Sequence, residues 1–145
     1  MDLFWLGHSN NDIRELTRHE IPYRAAPECD IHSQTYHEYL YRVNEPHIRR
    51  IFQRYFCGVL GILTKLQEHV RQYLLLFVGP SSLRGQGIPM ATIYSEHMSA
   101  LGWDHTETLI DSIVSRKMFF YPVNPATGLV DERMTTEHLL VLKRK

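Results

Sequence analysis

The stretch Tyr73-Leu74-Leu75-Leu76-Phe77-Val78, running straight into Gly79-Pro80-Ser81-Ser82, decides how this chain is read. An apolar run this short, closed by a Gly-Pro turn signal, has the length of a strand rather than of a helix. Its unbroken apolar character, without alternation, predicts burial on both faces, as in a parallel sheet. The chain closes on a second segment of this kind. It starts polar at Glu137-His138, turns apolar through Leu139-Leu140-Val141-Leu142 and ends in the basic Lys143-Arg144-Lys145, which predicts a strand over His138–Lys143.

Between these two segments Pro89 opens a helix with Ile93, Tyr94, His97, Met98 and Leu101 along one stripe, ended by Gly102. Thr106, Thr108 and the β-branched pair Ile113-Val114 predict a strand over Thr106–Ser115. Lys117–Thr135, with Pro122, Pro125 and Gly128, reads as a long irregular connection. The order strand, helix, strand, strand is that of an α/β protein.

The first half reads as helical. Leu3-Phe4-Trp5-Leu6-Gly7 has the form of a last helical turn with its terminal glycine. Ser9 and Asp12 form a capping pattern for a short helix reaching about His19. Pro22 to Pro27 is a loop, and His32–Val43 is a second short helix with Tyr36, Tyr39 and Leu40 on one side. Pro46 starts the longest helix, in which Ile48, Ile51, Phe52, Tyr55, Phe56, Val59, Ile62, Leu63, Leu66 and Val70 recur at helical spacing.

At 145 residues the chain fits one domain with a usable core. Sixteen basic and sixteen acidic residues cancel, so charge makes no case for a dedicated nucleic-acid binder, although a local basic patch remains open. Cys29 and Cys57 form no Cys-x-x-Cys pattern, which leaves a zinc site or disulfide framework unsupported. No apolar run approaches the roughly 18 residues of a membrane span, and no signal peptide is evident. A reduced, cytoplasmic protein without membrane or metal partners is the expectation.

Gly79–Gly87 is the only glycine-rich loop, and it follows a strand and precedes a helix. It lacks Gly-Lys-Ser/Thr, and its spacing departs from Gly-x-Gly-x-x-Gly. Loops at the carboxyl ends of strands often touch ligands, so Ser81, Ser82 and Arg84 are candidates for substrate contact. Arg116, Lys117 and Arg133 bracket the long connection and are candidates for nucleic-acid contact. The Arg49, Arg50 and Arg54 group reads as a solvated helix face, with phosphate contact as the alternative. The nine histidines show no metal-ligand spacing, no Gly-x-Ser-x-Gly elbow is present, and Cys57 reads as a small core residue.

Phe77-Val78-Gly79-x-Ser81, then Arg84-Gly85, Ile88-Pro89, an amphipathic helix, Leu101-Gly102-Trp103, a strand, and Glu132–Leu142 together resemble the C-terminal part of S-adenosylmethionine-dependent DNA amino-methyltransferases. Leu3–Gly7 and the helix after it resemble the segment that follows that family's Pro-Pro-Tyr loop. The resemblance keeps its order along nearly the whole chain. It implies a partial Rossmann-like sheet in which Tyr73–Val78, His138–Lys143 and Thr106–Ser115 take the places of the fifth, seventh and sixth strands, with the centre strand antiparallel.

It further implies methylation of an exocyclic amine, N4 of cytosine or N6 of adenine, with DNA as substrate and S-adenosylmethionine as cofactor of the complete enzyme. This chain lacks the cofactor loop and any Pro-Pro-aromatic motif, and Pro80 stands where the family usually has Asn or Asp. No residue is therefore assigned to catalysis, cofactor or metal, and the chain alone is expected to bind no cofactor and to be inactive. A companion chain carrying the N-terminal half, or a second copy, is expected at the open Tyr73–Val78 edge. Two alternatives stay open: a non-catalytic interaction domain that binds protein through this edge, and a small ligand binder using Gly79–Gly87.

Overall fold

Ser9 accepts a hydrogen bond from the Asp12 amide at 3.2 Å, and the Asp12 carboxylate accepts one from the Ser9 amide at 2.9 Å. This capping box starts α1, Asn10–Thr17, as the sequence anticipates. A computed structural model describes residues 7, 9–19, 21, 27–83, 86–112 and 136–145. The expected helical turn over Leu3–Leu6 and the connection Lys117–Thr135 lie outside the described residues. The chain divides into two units, Met1–Val70 and Arg71–Lys145.

The first unit is helical. Helix α2 spans Gln34–Arg42 and is capped by the buried Ser33, whose hydroxyl accepts from the Tyr36 amide at 3.0 Å. Helix α3 spans Pro46–Leu66, with Pro46 in its first turn, and runs into a 3₁₀ turn at Gln67–His69. Phe52, Phe56, Leu60 and Leu63 are its buried residues, spaced by four, four and three.

Phe52, Phe56 and Leu63 belong to the stripe read in the sequence, and Leu60 joins them. Leu60 is fully buried, while Ile62 and Leu66 are half exposed. Tyr36 stacks on Phe52 at 5.5 Å and meets Phe56 edge-on at 5.4 Å, and Phe52 and Phe56 lie 4.8 Å apart. Such ring pairs each add about 0.5–1.5 kcal/mol beyond area burial. Arg49 donates from Nη1 to the Leu40 carbonyl at 3.0 Å, placing a cation on the last turn of α2.

The second unit is built on a three-stranded sheet. Strand β1 is Tyr73–Val78, with the limits read from the sequence. The segment Gly79–Ile88, read as a loop, contains a hairpin: β2, Ser81–Leu83, pairs antiparallel with β3, Gln86–Ile88. Helix α4 is Met90–Ala100, β4 is Trp103–Ser112 and β5 is Thr136–Arg144. The order in the sheet is β1-β5-β4, with β5 antiparallel to both neighbours, so β1 and β4 run parallel to each other. The protein is thus a mixed helix-and-strand fold with a small antiparallel sheet.

Register separates the two sheet faces. Leu74 pairs with Leu142, Leu76 with Leu140 and Val78 with His138. On this face Leu140, Leu142 and Trp103 are at 0% exposure, and α4 packs against β4 and β5 with Ile93, His97 and Met98 buried. Burying a Leu side chain contributes about 1.5–3 kcal/mol. Gly102 sits between α4 and β4 at φ +89°, a conformation that costs other residues strain. A bulge between His105 and Glu107 bends β4, and the Thr106 hydroxyl donates to the Val141 carbonyl at 2.9 Å.

The opposite face corrects the expectation of two-sided burial. There Tyr73, Leu75 and Phe77 are 49%, 58% and 78% exposed. Pairing follows that of an antiparallel sheet with one covered face, which an uninterrupted apolar run does not reveal. Among the described residues no strand pairs with the other edge of β1.

Candidate functional site

The carboxyl ends of β1 and β4 lie at the end of the sheet where β5 begins. Val78 and Ile110 both pair with His138, and Ser112 pairs with Thr136. In open α/β sheets this end is where ligands bind. The chain leaves β1 through the half-buried Gly79 and the exposed Pro80 into the β2–β3 hairpin. Pro80 supplies a fixed φ and no amide donor, so this exit offers fewer polar groups than an Asn or Asp would.

Ser81 and Ser82 are both exposed on β2, opposite Ile88 and Gly87. Alternation along the strand sends their hydroxyls to opposite faces of the hairpin. Arg84, Arg116, Lys117 and Arg133 lie outside the described residues. Of the residues singled out by sequence, the structure thus brings Ser81 and Ser82 onto one hairpin.

The sheet end carries polar side chains that sequence reading does not collect. His138 is half-buried, and its Nε2 lies 3.3 Å from the Thr136 hydroxyl. Ser112 and Asp111 are exposed on β4, and Asp111 stands directly across from Glu137. Like charges directly opposite each other oppose strand pairing, by up to about 1 kcal/mol. The available signal was the polar start of β5, Thr136-Glu137-His138, placed against a strand ending in Asp111-Ser112. By register Thr136, His138 and Ser112 share the face of Leu140, where the hydroxyls and the imidazole can hydrogen-bond to a polar ligand, while the Asp111 and Glu137 carboxylates lie on the opposite face.

Other candidates resolve into structural roles. Arg49 is engaged with the Leu40 carbonyl. Burial, reinforced by Cys57 and then Asp30, pushes the Cys29 thiol up, which disfavours a thiolate nucleophile. Cys29 and Cys57 are both free. Among the described residues no group of His, Cys, Asp or Glu is placed to hold a metal ion. An open hollow along α2, lined by Gln34, His37, Glu38, Tyr41 and Arg42, belongs to a single helix and gathers no convergent chemistry. Among the described residues no helix is long and apolar enough to cross a membrane. No family model, curated protein or solved structure matches the chain.

Proposed function

We propose that the chain is the C-terminal part of an S-adenosylmethionine-dependent DNA amino-methyltransferase, holding the fifth, seventh and sixth strands of its Rossmann-like sheet. The observation that supports this most is the order β1-β5-β4, in which the last strand inserts antiparallel between two strands that run parallel. Helix α4 links β1 to β4, as the crossover between fifth and sixth strands does in that family. The edge of β1 that no strand pairs with among the described residues falls where the fourth strand would pair.

The residues present do not fit the cofactor. Among the described residues there is no glycine cradle after a first strand, and Gly79 is followed by Pro80. Cofactor and catalytic loop therefore belong to the companion half. This chain contributes core support and, through Ser81, Ser82 and the sheet end beside them, contacts to the DNA substrate. Arg84, Arg116, Lys117 and Arg133 are the basic residues offered for the same contact.

A second reading, a non-catalytic domain binding a protein partner, is favoured by the same open edge. Both are tested by co-expressing the chain with the product of an upstream reading frame that carries glycine-rich and Pro-Pro-aromatic motifs. Transfer of labelled methyl from S-adenosylmethionine to DNA is then measured. Transfer by the pair and none by either part is the expected result. A co-purifying pair without transfer supports the interaction domain, and turnover by this chain alone refutes the assignment.

A further inference from the structure

The exposed sheet face has two different halves. On β1 it presents Tyr73, Leu75 and Phe77, all about half exposed or more, and on β5 the half-buried Leu139 and Val141 continue the apolar surface. On β4 the same face presents Asp104, Glu107 and Asp111, all exposed, with the half-exposed Leu109 between the last two. Strands sit about 4.8 Å apart, so the apolar band is roughly 10 Å wide, reaches onto β4 at Leu109 and is closed on β5 by Lys143 at one end and Glu137 at the other, while the row of carboxylates Asp104, Glu107 and Asp111 borders it along β4. Lys145 reaches Asp104 at 3.4 Å, at the end of that row away from Asp111.

We infer that this face is a docking site for a basic amphipathic helix, with apolar residues seated over β1 and β5 and lysines or arginines along β4. The face complements such a helix in pattern and in charge. A helix about 10 Å across covers the apolar band, and about 14 helical residues, roughly 21 Å, match the length of β1. Basic side chains at the flank of the apolar stripe then meet Glu107 and Asp111. Acidic helices are repelled by the same row, and so are anionic membrane surfaces. The inference does not depend on the methyltransferase reading, since neither DNA nor cofactor takes part.

The test uses the full chain and two synthetic helical peptides of about 14 residues with one leucine stripe, flanked in one by lysine and in the other by glutamate. Fluorescence anisotropy is expected to show the lysine peptide binding about tenfold tighter or more, with affinity falling as salt rises. Phe77→Thr is expected to weaken it, and Glu107→Lys with Asp111→Lys to reverse the preference between peptides. All three positions are exposed, and circular dichroism checks that the variants fold. Equal affinity for both peptides overturns the proposal, as does unchanged binding in Phe77→Thr. Dimerisation in sedimentation that Phe77→Thr abolishes, without peptide binding, gives the face to a second copy and equally overturns it. Binding of the chain to anionic vesicles does the same.

Discussion

Helix α3 and strand β1 handle apolar surface in opposite ways. Along α3, Phe52, Phe56, Leu60 and Leu63 are buried together, and Tyr36 of α2 closes over two of the rings. Along β1 every residue is apolar or aromatic, yet burial alternates and the outward side chains remain exposed. A helix with a 3.6-residue period states which side it hides. A strand with no period promises two covered sides, and here only one is covered within the described residues. The unmet half of that promise leaves an apolar face and one edge of β1 uncovered among the described residues.

The contrast predicts unequal costs for apolar deletions. Trp103→Ala and Leu140→Ala, on the covered face at 0% exposure, should each destabilise by about 3–5 and 2–5 kcal/mol in urea unfolding. Losses under 1 kcal/mol there would mean that the covered face is not a packed core. Tyr36 tests the helical side. Burial, then the charge of Cys57, pushes its phenol up from 10.0 to about 12. The unfolded phenol ionises first, so the stability tied to neutral Tyr36 is full below pH 10 and is lost as pH rises towards 12. Tyr36→Phe should flatten that alkaline loss, and an unchanged pH profile would show the ring to be less enclosed than its contacts indicate.

Smaller effects follow. Gly102→Ala should cost about 1–2 kcal/mol in thermal unfolding, because φ is +89° there although no atom crowds the added methyl. Ser33→Ala should cost about 1 kcal/mol by removing the cap of α2. At the bottom of the scale, Leu75→Thr and Phe77→Thr should change the stability of the isolated chain by no more than about 0.5 kcal/mol. A larger loss would mean that something already covers the outer face.

The fold was legible where local chemistry is decisive. The Ser9–Asp12 box, Pro46 and the Tyr73–Val78 run state their roles within a few residues. Strand β4 was read late, from Thr106, because Asp104 and His105 look like a turn. The structure starts β4 at Trp103, which is buried beneath α4 while its polar neighbours face solvent. The β2–β3 hairpin was missed because its strands are only three residues each and most of their side chains are exposed. At the site, Ser81 and Ser82 were visible from the glycines around them. His138, Thr136 and Ser112 were not, since only the register of β5 against β4 brings them to one end of the sheet.

The claim that β1 lacks its neighbour is tested most directly by hydrogen–deuterium exchange over Tyr73–Val78, with and without the co-expressed companion half. The account predicts that exchange in β1 slows strongly in the complex, as its free edge gains strand hydrogen bonds, while β4 changes little. Unchanged exchange in β1 with protection gained elsewhere would contradict it.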